Sequence, residues 1–160
     1  MVPAAGDVTR TFGAVDGEAA TYLSVGQGGF VPTLALRAGG RKVWGTYPFQ
    51  EAAFLGGKTT VRLGRENRFA GDAAVFGNAE LGLQLGEIFL LLPGHFGVFG
   101  LADAGRVFYA PDPVGADTWH TAVGGGVWIS LLTRASTASL ALARSDERRI
   151  GVYVGGGMAF

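Results

Sequence analysis

The sequence contains no cysteine, only two histidines and few charged residues. Without cysteine, a disulfide-stabilised scaffold is excluded. Charged residues make up 16% of the chain, against about 25% in an average protein. The formal net charge is +0, so there is no electrostatic reason to expect nucleic acid as a partner. Disorder is excluded as well, because 48% of the residues are hydrophobic and charge does not dominate.

Long apolar runs are also missing from the sequence. A membrane-spanning helix needs about 20 mostly apolar residues. The most apolar run, residues 88–92, stops at Pro93, and the longest uncharged stretch, residues 19–36, contains Pro32 and several glycines. The first seven residues have neither the basic region nor the apolar region of an export signal. We therefore expect no spanning helix.

Residues that could carry catalysis or hold a metal are sparse. His95 and His120 are the only histidines and do not form a close pair, so we expect no metal site. No Gly-x-Ser-x-Gly nucleophile motif occurs. The glycine triplets 124–126 and 155–157 are not followed by the helix that a phosphate-binding loop requires. We therefore expect no catalytic residues, no enzyme activity and no cofactor.

Glycine, in contrast, is abundant at 28 of 160 residues, and the hydrophobic pattern has a period of two. From residue 78 to residue 85, apolar side chains alternate with small or polar ones. A strand places these two sets on opposite faces of a sheet, whereas a helix does not. Residues 33–39 show the same alternation. The apolar set is Ala79, Leu81, Leu83 and Leu85, and the other set is Asn78, Glu80, Gly82 and Gln84.

The number of predicted strands is seven or eight. Asp16-Gly17 is a two-residue hairpin signal, which would separate one strand at 8–15 from another that begins at Glu18. Alternatively, residues 9–25 form one long strand. Residues 46–70 form a long connection, and loops of this length are usually functional. Further strands are predicted at 96–109, 119–132, 136–145 and 149–160.

These features together predict an all-β fold, an antiparallel transmembrane β-barrel of about eight strands in a single domain, 1–160. A soluble sandwich has a similar alternation, but Lys and Glu cover its outward face, and here Lys occurs only at 42 and 58. Aromatic residues near strand ends suit interfacial girdles, although each could equally pack in a core. They are Tyr22, Trp44, Tyr47, Phe108, Tyr109, Trp119, Tyr153 and Phe160.

Three short motifs follow one another in the second part of the chain. They are Val61-Arg62-Leu63-Gly64 in the long connection, Asn78-Ala79-Glu80-Leu81, and Asp103-Ala104-Gly105. Together they resemble the C-terminal half of the barrel in the bacterial surface antigen family, the BamA/TamA-type outer-membrane assembly proteins. Barrels of that family have sixteen strands and a long inward-folded loop with a Val-Arg-Gly-Tyr/Phe motif. The resemblance, from about residue 10 to the end, therefore implies a half-barrel.

The resemblance also implies roles for individual residues. The loop arginine, Arg62, would reach into the barrel and pair with the strand aspartate, Asp103, with Glu80 nearby. The alternation supports this arrangement, because Glu80 shares a face with Asn78 and Gln84 and should point into the interior. At the end of the chain, the resemblance implies an assembly signal formed by Gly155, Met158 and Phe160.

The function implied by the resemblance is the insertion or export of other outer-membrane proteins. The expected location is the bacterial outer membrane, with a lipid bilayer or detergent around the barrel and other outer-membrane proteins as partners. Because the first residues carry no export signal, we expect the chain to be a fragment of a longer protein. The alternative is a small eight-stranded structural barrel or membrane anchor with no assembly activity. The sequence sets no oligomeric state.

Overall fold

The computed structural model describes residues 11–26, 31–89, 92–109, 118–132 and 136–156, and these residues form an all-β structure. Among them, no helix is long and apolar enough to cross a membrane. A short 3-10 helix, Phe49–Glu51, lies in the connection that follows the second strand. The strands are β1 (Phe12–Ser24), β2 (Pro32–Gly45), β3 (Ala53–Leu55), β4 (Phe69–Gly71), β5 (Ala73–Phe89), β6 (Pro93–Phe108), β7 (His120–Leu131), β8 (Thr137–Ser145) and β9 (Ile150–Gly156).

Seven of the strands form one antiparallel sheet in the order β1-β2-β5-β6-β7-β8-β9. The short strands β3 and β4 pair only with each other, inside the connection between β2 and β5. This arrangement confirms the predicted all-β, antiparallel class. Within the described residues, no backbone pairing joins β1 to β9, so the closed eight-stranded barrel that the sequence predicts is not observed.

The predicted hairpin at Asp16-Gly17 is wrong, and the alternative of one long strand is correct. Asp16 pairs with Arg41 and Gly17 pairs with Gly40, in unbroken register along β1 and β2. Neither Asp16 nor Gly17 has the positive φ that a type I′ turn requires. A continuous partner strand therefore outweighs the local turn signal.

The alternation in the sequence gives the sheet two different faces. We call the face that carries Asn78, Glu80 and Asp103 the inner face, because these side chains are buried. The opposite, outer face carries many exposed apolar side chains, among them Leu36, which is 37% exposed, and Val154, which is 72% exposed. Its large members include Leu36, Leu81, Val123, Val127, Leu140, Leu142, Val152 and Val154.

The core lies between the inner face and the connection that folds over it. Leu55, Val61 and Leu63 from the connection are fully buried and pack against sheet residues, among them Val107. Beyond this core, one cavity is lined by residues from all seven strands of the sheet, from Tyr22 in β1 to Gly155 in β9. The sheet therefore curves strongly around its inner face.

Candidate functional site

The connection between β2 and β5, residues 46–72, is an ordered loop rather than a loose linker. Its two arms pair as β3 and β4 over three residues each. Gly56 and Gly57 have φ values of 122° and 100°, which side chains rarely tolerate. The tip is fixed by hydrogen bonds from Gly56 N to Thr60 Oγ1 (2.8 Å) and from Lys58 N to Glu66 Oε1 (3.3 Å). We call this segment the inward loop.

The inward loop docks on the sheet through apolar contacts that need a glycine beneath them. At Gly105 in β6, an added Cβ would lie 2.7 Å from Leu55 Cδ1 and 2.7 Å from Val61 Cγ2. Real Cβ atoms do not approach other heavy atoms this closely, so the loop can reach the sheet only because residue 105 has no side chain. The Asp-x-Gly motif of the sequence thus supplies both an acid and a docking surface.

Arg62 lies at the apex of a tight turn in the inward loop. Leu63 N donates a hydrogen bond to Val61 O across it, at 2.8 Å, which is the three-residue pattern of a γ-turn. The neighbouring Val61 and Leu63 are fully buried. Because its two neighbours are anchored in the core, Arg62 is directed at the inner face between β5 and β6.

Arg62 binds two carboxylates on adjacent strands. Its Nε donates to Asp103 Oδ2 at 2.7 Å and its Nη2 donates to Asp103 Oδ1 at 2.8 Å, a bidentate pair. The backbone amide of Arg62 also donates to Asp103 Oδ2, at 3.1 Å. The remaining nitrogen, Nη1, donates to Glu80 Oε1 at 2.5 Å. Charge-assisted bonds of this kind are among the strongest in proteins.

Asn78 completes the cluster from β5, where it pairs in register with Asp103. Its Nδ2 donates to Asp103 Oδ1 at 2.9 Å and to the backbone carbonyl of Thr60 in the inward loop at 2.6 Å. Asn78 thus orients the aspartate and holds the loop at the same time. Sequence reasoning did not assign it this role, although its place in the Asn-x-Glu-Leu motif, on the face of Glu80, was the available signal.

The cluster is buried, and its acids outnumber its cation. The exposed fractions of the side chains are 9% for Arg62, 7% for Glu80 and 0% for Asp103. Removing charges from water costs several kcal/mol per ion, which a buried pair recovers only with good geometry and full hydrogen bonding. The described residues contain no group of three or more metal-ligand side chains. The arrangement is suited to locking the inward loop against the sheet.

The inward loop also crosses to the last strand of the sheet. Gly64 N donates to Tyr153 Oη at 2.8 Å, and Lys58 Nζ donates to the backbone carbonyl of Val154 at 3.3 Å. Tyr153 therefore lies on the inner face and does not belong to an aromatic girdle, contrary to its position near the chain end in the sequence. The signal for this was its alternation with the outward Val152 and Val154.

Polar contacts secure the base of the inward loop. The hydroxyl of Tyr47 donates to Asp72; burial, this hydrogen bond and the negative charge of Asp72 raise the pKa of Tyr47 to about 12. Arg68 donates to Glu147 in the turn between β8 and β9, at 3.0 Å. The hydrogen bond from Arg68 is the largest cause that lowers the pKa of Glu147. The loop is thus fixed at its base as well as at its tip.

The structure brings Arg62, Glu80 and Asp103 together, in the pairing that the resemblance implies. Gly155 lies in β9 on the inner face, where an added Cβ would be 2.5 Å from Ser139 Oγ. Met158 and Phe160, the other two residues of the expected assembly signal, lie outside the described residues. The assembly role of these three residues stays a prediction.

Comparisons with protein-family models, with curated proteins and with solved structures give no match for this chain.

Proposed function

We propose that the sheet is part of a transmembrane β-barrel of the bacterial outer membrane, and that this barrel takes part in inserting or exporting other outer-membrane proteins. The observation that carries the proposal is the contrast between the two faces of the sheet. Apolar side chains are exposed on the outer face, while the charged residues of the cluster are buried on the inner face. A water-soluble sheet would show the opposite distribution.

The outer face matches a lipid environment in chemistry and in length. Monomeric soluble proteins rarely expose contiguous apolar patches larger than a few hundred Å². The exposed apolar side chains of the outer face lie on several neighbouring strands. A strand that crosses a bilayer at a tilt needs about 9–11 residues; β7 has 12 and β8 has 9. In lipid, Leu142 and Val127 would be covered by acyl chains instead of facing water.

Exposed aromatic side chains lie at one end of the strands. Trp44 and Tyr109 stand where β2 and β6 end, and Trp119 stands where β7 begins. All three are exposed, by 39% to 53%. Because the strands are antiparallel, these positions lie at the same end of the sheet. Aromatic rings at this level are typical of the membrane–water interface of outer-membrane barrels.

Support for an assembly role comes from the inward loop. The resemblance to the surface antigen family implies a loop arginine that enters the barrel and pairs with a strand aspartate, and Arg62 and Asp103 make this contact. A simple anchor needs no loop tied to the last strand, yet Lys58 and Gly64 both bond to β9. The loop thus connects the Arg62 cluster on the inner face to β9, the last strand of the sheet.

The membrane part of the proposal is tested by charging the outer face. Leu142 lies midway along β8 and is 55% exposed. In a bilayer, Leu142→Arg should cost about 2–4 kcal/mol of folding free energy, measured by urea unfolding in lipid vesicles. Gln50→Arg, at an exposed position of the 3-10 helix, is the matched control and should cost little. If both variants are as stable as the wild type and monodisperse in plain buffer, the membrane proposal fails.

The assembly part needs a separate measurement. Vesicles that contain the folded chain should accelerate the folding of an added, urea-unfolded outer-membrane barrel, compared with empty vesicles. Arg62→Ala should reduce this acceleration, since it frees the inward loop. If the chain inserts normally but accelerates nothing, it is a structural barrel segment or anchor, and the assembly proposal is wrong.

A further inference from the structure

The inward loop fills only part of the inner face, and the rest encloses a cavity of about 200 Å³. The cavity lies beyond the Arg62 cluster, toward the end of the sheet at which β5 ends and β6 begins. Lys58 and Thr59 from the loop tip line it on the side of the core. None of the loop and cluster contacts described above fills this space, so its lining needs its own explanation.

One side of the cavity is an aromatic wall that the sheet is shaped to hold. Phe99, Trp128 and Tyr153 line the cavity. An added Cβ at Gly97 would lie 2.6 Å from Trp128 Cε2, and one at Gly126 would lie 2.8 Å from Phe99 Cε1. The two rings thus occupy the space above glycines of neighbouring strands. This is how part of the high glycine content is used.

Polar side chains beside the aromatic wall offer hydrogen bonds; Ser139, for example, pairs in register with Trp128. Gln84 and His95 contact each other at 3.2 Å, between Nε2 and Nδ1. Ser130 and Ser139 add hydroxyl groups to the lining. A pocket with an apolar aromatic wall and a few polar groups is the usual composition of a small-molecule site.

Lys58 adds to the cavity lining an exposed ammonium group that forms no ion pair among the described residues. Arg62 and Arg37 also line the cavity, but each binds carboxylate: Arg62 binds Glu80 and Asp103, and Arg37 binds Glu18 at 2.7 Å. Lys58 Nζ donates to the carbonyl of Val154 and has no carboxylate within ion-pair distance among the residues the structure describes. An anionic group in the cavity would pair with it.

We infer that this cavity binds a small aromatic carboxylate, with its ring against Phe99 and Trp128 and its carboxylate on Lys58 Nζ. The size is suitable, because a cavity of about 150 Å³ accommodates benzene and the remaining volume admits a carboxylate. Such a ligand uses three features of the site: the aromatic wall, the ammonium group of Lys58 and the hydroxyl groups beside the wall. The inference goes beyond the proposed function, since it needs neither a membrane nor a protein substrate.

The test uses the fluorescence of Trp128. The chain has three tryptophans, and the Trp44→Phe/Trp119→Phe background leaves only the one in the cavity. Phenylacetate is titrated against this protein in neutral lipid vesicles, or in buffer if the protein proves soluble. We expect saturable quenching, and about tenfold weaker binding of the neutral phenylacetamide, because one charge-assisted hydrogen bond is lost.

The two lysines of the chain supply matched variants. Lys58→Gln should weaken phenylacetate binding about tenfold, while Lys42→Gln, on the exposed outer side of β2, should leave it unchanged. Equal affinities for phenylacetate and phenylacetamide, or equal effects of the two lysine variants, would overturn carboxylate recognition. Quenching by acetate of the same strength, or no saturable quenching at all, would overturn the site itself.

Discussion

Arg62 and Asp103 are joined by three hydrogen bonds although 41 residues separate them in the chain. Two of the bonds come from the guanidinium and the third from the backbone amide of the same arginine. Asp103 therefore fixes both the side chain and the path of the inward loop. A lysine could replace the charge but not the bidentate geometry.

Arg62→Ala should detach the inward loop from the sheet. The change leaves Glu80 and Asp103 buried without their cation, and breaking a buried pair in this way costs about 3–5 kcal/mol. We expect residues 46–72 to be cut by a non-specific protease, and the urea midpoint to fall. Arg62→Lys should lie between the wild type and the alanine variant.

The control for this prediction is Arg65→Ala in the same loop. Arg65 is exposed, and surface substitutions away from special contacts usually change stability by less than about 0.5 kcal/mol. If Arg62→Ala and Arg65→Ala give the same protease resistance, the cluster does not hold the loop.

Gly105→Ala should lift the inward loop by overpacking. The added methyl group would meet Leu55, Val61 and the backbone carbonyl of Val75, all within 2.9 Å. Overpacking of this kind costs about 1–3 kcal/mol, which denaturant unfolding measures. Gly100→Ala on the same strand is the control, because nothing lies within 4 Å of its added Cβ. Equal stability of the two variants would contradict the docking of the loop on Gly105.

The Tyr47–Asp72 contact predicts a loss of stability in strong alkali. The pKa of Tyr47 is raised to about 12 by burial and by Asp72, whereas the pKa of a tyrosine in an unfolded chain is about 10. Between these values only the unfolded chain releases the proton, so stability falls as pH rises through this window. Tyr47→Phe should lose less stability there, and should remove one phenolate from the absorbance titration near pH 12.

For the same contact, Asp72→Asn should lower the pKa of Tyr47, since it removes the negative charge beside the phenol. Tyr109→Phe, at an exposed tyrosine, should keep the late phenolate in place. A titration in which Tyr47→Phe and Tyr109→Phe lose the same step would show that Tyr47 is not the late group.

The ion pair of Arg68 and Glu147 should contribute little to the stability of the fold, and its contribution should depend on pH and salt. The pKa of Glu147 is lowered in the folded protein. The pair therefore stabilises the fold at pH values above the ordinary glutamate pKa, and this contribution is lost as the pH falls through the folded pKa. At neutral pH, Glu147→Gln should cost at most about 1 kcal/mol, and high salt should remove the difference. Glu80→Gln, at a buried site, should cost more and respond less to salt.

Much of the sheet could be predicted from the sequence, because the alternation from residue 78 to residue 85 is local information. It placed Glu80 on the buried face, where the structure has it. The Asp16-Gly17 signal misled because turn propensity is also local, whereas the pairing of β1 with β2 depends on thirteen paired positions. The sequence therefore predicts a strand correctly where its pattern depends on residues that are neighbours in the chain.

The interior of the inward loop was less predictable. β3 and β4 pair over only three residues, too few to show a period. Lys58 bonds to Val154 and Gly64 bonds to Tyr153, so each contact joins positions about 90 residues apart in the chain. No local pattern in the sequence encodes a contact over such a separation. Only the resemblance to a known family indicated where Arg62 would go.

The order of the strands has a consequence for any complete barrel. Each neighbouring pair in the seven-stranded sheet is antiparallel, so the direction reverses six times from one edge to the other. β1 and β9 therefore run the same way, and direct contact between them would be a parallel seam, which forms a different hydrogen-bond ladder. A barrel that is antiparallel throughout is completed only by an odd number of additional strands between these two edges.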